Sequence, residues 1–257
     1  MPHVILKRVW DYCTYSKKYL LFIFALLFIS SLIQNYVFFK GDDTEVALLN
    51  VIIAISVAGY GMSITRSRIN HGKRLPKIVI KDIIFLGIKA NIVLFFYICV
   101  QTVILGSVCS LLRFPSFNLE KLLLYWTDTI DMFFNHNPAN TILFLIFGAI
   151  LFYVITFFME IALAKLADTR SLISAFNLLS IKRSIDVIGW KNYAKEYTLI
   201  VLTIVILTRI IYLDLPFTFL DSLIDMFLSF LVFATQYLGI GAIYCEIKDL
   251  ELAKETP

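Results

Sequence analysis

Six stretches of this chain are long enough and apolar enough to cross a lipid bilayer, and no other feature restricts its fold as strongly. A helix needs about 20 mainly apolar residues to cross the hydrocarbon core. The stretches lie at about 19–39, 46–65, 90–112, 141–164, 197–213 and 222–245. Lipid offers no partner to a backbone N–H or C=O, so each must be a helix, whose hydrogen bonds are internal. Phe, Val and Ile favour strands in water, but continuous apolar runs of this length override that preference. A barrel would show alternating segments of about 10 residues, and none is present. The expected fold is all-α: a polytopic membrane helical bundle, one membrane domain over residues 1–257.

Composition closes the other routes. Hydrophobic types make up 60% of the 257 residues, charged types 16%, and mean hydropathy is +0.83. Soluble domains run at roughly 45–50% apolar and about 25% charged, so too little polar surface exists here to cover a soluble fold. The four cysteines (Cys13, Cys99, Cys109, Cys245) and three histidines (His3, His71, His136) show no short metal spacing. The expectation is no metal and no cofactor. The first span exceeds a signal-peptide apolar core and lacks a small-residue cleavage pattern, so it reads as retained.

Lys and Arg set the direction of threading. Nineteen of the 23 basic residues fall in the N-terminal segment, the second and fourth connections and the C-terminal tail. Lys40, Arg113, Lys121 and Arg209 fall on the other side. With an even number of spans, the positive-inside rule puts both termini in the cytoplasm, and the expected location is the plasma membrane.

The two long inner connections are amphipathic. From Lys81 to Leu112 is too long for one span, about 48 Å of helix, so residues 76–89 are read as a separate interfacial segment. Its apolar side is Ile80, Ile83, Ile84 and Ile88. Residues 169–191 form a second such segment, with Leu172, Phe176 and Leu179 on one side, Ser174, Asn177 and Ser184 on another, and Trp190 as an interface anchor. Both could lie on lipid or pack under the bundle. KDIIFLGIK at 81–89 aligns with RSIDVIGWK at 183–191, an offset compatible with duplication or with chance. In NHGKRLP, Gly72 is expected to permit the bend and Pro76 to start the next helix.

GYGMSITRSRINHGKRLP at 59–76, followed by DIIFLGIKA and a span, resembles an uncharacterised family of archaeal membrane proteins. That family is domain-of-unknown-function group four-zero-one-three, typical of methanogens. SLISAFNLLSIKRSI at 171–185 and QYLGIGAIYCEIKD at 236–249 are similar to its later segments, so the likeness covers roughly residues 10–250. Gly61, Arg68, Gly72, Leu75 and Pro76 are its most specific part. The resemblance implies a multi-span membrane protein and brings no activity and no catalytic residues.

Ionisable and polar groups within spans are the candidate sites. Glu160, Gln101 and Gln236 form a possible polar site, with Glu160 otherwise expected to pair with Lys165 or Lys89. Arg209 is expected to meet Asp225 or Asp214 in an ion pair at the outer boundary. Arg66, Arg68, Lys73, Arg74, Lys77, Lys81, Lys182 and Arg183 are expected to contact anionic headgroups. Gly61, Gly239 and Gly241 should let helices approach closely. No nucleotide loop, HExxH or GxSxG pattern occurs, so no catalytic residue is expected. The favoured function is a non-catalytic membrane scaffold or assembly component. The alternatives are a small-solute transporter or permease-like component and, last, an intramembrane enzyme. The expected partner is the bilayer with its anionic cytoplasmic headgroups, with no nucleic acid; protein partners and a homo-oligomer stay open.

Overall fold

The computed structural model describes residues 2–15, 19–29, 44–114, 126–211 and 218–255. Every regular element among them is an α-helix. In chain order these are α1 Pro2–Thr14, α2 Tyr19–Ile29, α3 Thr44–Ile69, α4 Ile80–Leu111, α5 Trp126–His136, α6 Pro138–Thr169, α7 Leu172–Phe176, α8 Leu178–Ile188, α9 Trp190–Ile211 and α10 Thr218–Glu255.

Four helical stretches are long and apolar enough to cross a membrane: Leu48–Ile69, Ile80–Leu111, Pro138–Thr169 and Ile224–Lys254. They answer to the second, third, fourth and sixth expected spans. Only Tyr19–Ile29 of the first is described. The fifth is α9, which holds Lys191, Lys195, Glu196 and Arg209 within 22 residues and is not among the four.

The described residues divide into two compact units, one of Met1–Asn91 with Glu160–Pro257, the other of Ile92–Met159. In the first, α10 is the hub and packs against α1, α3, α8 and α9. Its core gathers Val9, Tyr12 and Cys13 of α1, Ile23 of α2, Tyr60 and Ile64 of α3, Ile83 of α4, and Phe230 and Ala234 of α10. Small residues set the spacing. A methyl added at Gly59 would fall on the Ile83 carbonyl, and one at Gly87 on the Ile55 carbonyl, so α3 and α4 touch backbone to backbone. Gly241 lets α10 lie against Thr65 and Arg68 of α3, where the Thr65 hydroxyl donates to the Tyr237 carbonyl at 2.9 Å. The second unit has its own core of Cys109, Phe114, Phe133 and Phe144, with Phe114 stacked on Phe133 at 4.1 Å between ring centroids.

Three expectations are corrected. Residues 80–111 form one unbroken helix, so most of the segment read as separate is the first turns of α4. Gly87 alone costs only about 1 kcal/mol in a helix interior, too little to break it. The bend after α3 is made by His71, at φ 56°, rather than by Gly72. The His71 N–H bonds the Arg68 carbonyl and the Gly72 N–H bonds the Ser67 carbonyl at 2.7 Å, a helix-ending pair in which the left-handed position is usually glycine. The next helix then starts at Ile80 and not at Pro76, whose carbonyl accepts from the Tyr60 hydroxyl at 3.2 Å.

The connection over 169–191 is also broken where the periodicity ran through. Asn177 ends α7 and caps α8, its side chain accepting from the Ser180 N–H at 3.0 Å. The break re-phases the faces: Ser184, expected outward, is buried with Ile181, Ile185 and Ile188, while Leu179 is exposed. The α8 face therefore packs under the bundle, against α9 and α10. Gly189 closes α8 at φ 86°, whereas Gly87 lies mid-helix against α3. The aligned glycines of the apparent repeat do different jobs.

Candidate functional site

The basic residues from 66 to 77, at the end of α3 and just after it, are divided between two cavities. Arg66 and Arg68 stand about 200° apart around α3, and the left-handed turn at His71 redirects the residues that follow. The smaller cavity, about 280 Å³, is lined by Ser63, Arg66, Ser67, Asn70, Pro76, Lys77, Val79, Asp82, Leu86 and Arg170. The larger, about 800 Å³, is lined by Arg68, Lys73 and Arg74 with Asp11, Tyr12, Tyr15, Glu196 and Glu246, and by Val9, Ile200, Leu238, Gly239, Ala242 and Ile243.

Their electrostatics differ. In the larger cavity three cations face three carboxylates, so it presents little net charge. Arg74 is also held there, donating to the Tyr15 hydroxyl at 3.0 Å and lying 4.4 Å from that ring's centroid. In the smaller cavity, three cations face one carboxylate. Asp82 accepts both arms of Arg170, at 2.8 and 3.4 Å. Arg66 and Lys77 are then in excess, while the exposed side chains Ile80, Ile84 and Ile88 lie on the other side of α4 from Asp82 and Leu86. Arg170 is fixed by its backbone as well as its side chain: it ends α6 at φ 58°, and its carbonyl accepts from Lys89. This arrangement can hold an anionic oxygen cluster, such as a phosphate, through charge-assisted hydrogen bonds.

Of the remaining expected contacts, Lys81, Lys182 and Arg183 are exposed and line neither cavity. Glu160 and Gln236 are brought together, Gln236 Nε2 donating to Glu160 Oε1 at 3.1 Å. Glu160 Oε2 is buried with no hydrogen-bond partner among the described residues. The expected pairing of Glu160 with Lys165 or Lys89 is not what the structure has. Lys165 donates to the Ser180 hydroxyl, and Lys89 to the Arg170 carbonyl. Five residues along a helix turn a side chain about 140° from its start, so Lys165 points elsewhere. Gln101 is half-buried in the second unit, whereas Glu160 and Gln236 belong to the first. Arg209 is exposed in the last turn of α9, Asp225 is half-buried early in α10, and Asp214 lies outside the described residues.

Sequence reasoning missed two contributors. The first is α1, whose Asp11, Tyr12 and Tyr15 line the larger cavity; the apolar spacing of Val9, Tyr12 and Cys13 was its signal. The second is the Asp82–Arg170 clamp, which joins positions 88 apart in the chain, and no local pattern marks it.

A family described as "Protein of unknown function (DUF4013)" matches residues 46–220. That match stops short of 236–249, the last segment on which the resemblance was drawn. No curated protein and no solved structure matches the chain.

Proposed function

The chain belongs to the DUF4013 family, and from that premise we propose that it is a multi-pass, non-catalytic membrane scaffold or assembly component that holds anionic lipid headgroups at its cytoplasmic face. In this reading α2 and α9 join the four long helices as spans, and both termini lie inside the cell. The observation that supports it is the smaller cavity, where Arg66, Lys77 and Arg170 face the single carboxylate of Asp82. A lipid phosphate would meet these cations through charge-assisted hydrogen bonds.

The test is native mass spectrometry of the detergent-solubilised protein with phosphatidylglycerol and phosphatidylcholine. The anionic lipid should be retained preferentially. Each basic residue near such a surface contributes roughly 1 kcal/mol, so Arg66→Gln with Lys77→Gln should weaken retention by about thirty-fold. Equal retention of both lipids, or a double variant that binds like the wild type, overturns the reading.

A further inference from the structure

Three side chains from distant parts of the chain converge at one end of α10. Cys245 and Asp249 stand one turn apart on that helix, on the same face. His71 is added by the left-handed turn after α3. His71 Nε2 is 3.2 Å from Asp249 Oδ1. Cys245 Sγ is 3.9 Å from His71 Nε2 and 3.9 Å from Asp249 Oδ2. One donor atom of each lies within 4.8 Å of the other two.

A triangle of this size fits a metal ion. Zinc bonds of about 2.0 Å to nitrogen and oxygen and about 2.3 Å to sulfur, at tetrahedral angles, put N···O about 3.3 Å and S···N or S···O about 3.5 Å apart. One donor atom from each residue already lies within 4.8 Å of the other two, so modest side-chain rotations bring the edges to these lengths. The sulfur is 3.5 Å from Nδ1 and 3.9 Å from Nε2, and the carboxylate touches both other groups. Cys245 is buried while His71 and Asp249 are exposed, so the triangle opens outward and a solvent water can complete four-coordination. Lys248, next along the helix, is engaged by Asp168 at 2.7 Å.

We propose that His71, Cys245 and Asp249 form a binding site for a borderline-soft divalent transition-metal ion, with zinc(II) the best fit. A thiolate and an imidazole in the set select against magnesium and calcium. On binding, the Cys245 S–H proton goes to solvent as the S–metal bond forms, with no change of oxidation state. The ion ties the turn after α3 to the end of α10. The site uses none of the residues assigned to the headgroup pocket, so the two readings fail independently.

The test uses the full chain, purified in detergent, stripped with a chelator and titrated with cobalt(II) as a spectroscopic stand-in for zinc(II). One equivalent should bind, giving a sulfur-to-cobalt charge-transfer band and intense tetrahedral visible bands, both abolished by one equivalent of zinc(II). Cys245→Ser should remove the charge-transfer band, and Cys99→Ser should leave it. Asp249→Asn and His71→Asn alter exposed side chains, and Asn tolerates the left-handed backbone at 71. Each should keep the fold and weaken affinity at least about tenfold. A charge-transfer band that survives Cys245→Ser, a wild type that gives none, or unchanged affinity in Asp249→Asn overturns the proposal.

Discussion

Glu160 has one carboxylate oxygen bonded to Gln236 and the other buried without a partner among the described residues. A group left this way costs about 1–3 kcal/mol or more when charged. Glu160→Gln removes the charge and keeps the shape, so its melting temperature in detergent should equal or exceed that of the wild type. Gln236→Leu strips the remaining partner and should lower it by several degrees. If both variants lose the same stability, a further group satisfies Oε2. The ion pair expected from sequence between Arg209 and Asp225 can be tested by coupling. Arg209→Leu should destabilise less than Asp225→Leu, because an apolar residue suits the apolar last turns of α9. The double variant should be milder than the two singles together. Simple additivity would mean that the two do not meet.

At the scale of an element, two glycines on long helices have opposite surroundings. Replacing a helix-interior glycine with alanine gains up to about 1 kcal/mol where space allows. Gly148→Ala places its methyl 3.7 Å from a Leu105 methyl, an ordinary contact, so thermal melts should show equal or higher stability. Gly59→Ala drives its methyl onto the Ile83 carbonyl, and the same measurement should show a clear loss as α3 and α4 separate. Asn177→Ala should cost about 1 kcal/mol through the lost cap of α8. Sequence showed that these helices exist but not where they break. The 3.6-residue period runs smoothly through Asn177, and only the side-chain bond to the Ser180 N–H shows that the register restarts there. His71 was hidden for a similar reason. Its neighbour Gly72 is the residue that ordinarily takes a left-handed backbone, yet the packing of the turn puts that conformation on the histidine.

For the whole molecule, the division of Lys and Arg predicts where each end of the bundle faces. On a background lacking the four native cysteines, a cysteine at exposed His136 should react with an impermeant maleimide from outside the cell. Cysteines at His71 or Lys182 should react only after permeabilisation, and external labelling at His71 would sink the six-span threading. The sequence by itself determined the all-helical class, the approximate length of the apolar spans and the basic character of residues 66–77. Those properties depend on local composition measured against bilayer thickness and on the backbone's need for internal hydrogen bonds. Tertiary structure alone decided that Arg66 and Lys77 share a pocket with Arg170 while Arg68, Lys73 and Arg74 face carboxylates from three helices. It also decided that Glu160 meets Gln236 rather than a lysine, and that His71 reaches Cys245 and Asp249. Such meetings depend on how α1, α3, α8 and α9 close around α10, and the partners lie tens to more than a hundred residues apart with no local signal to join them.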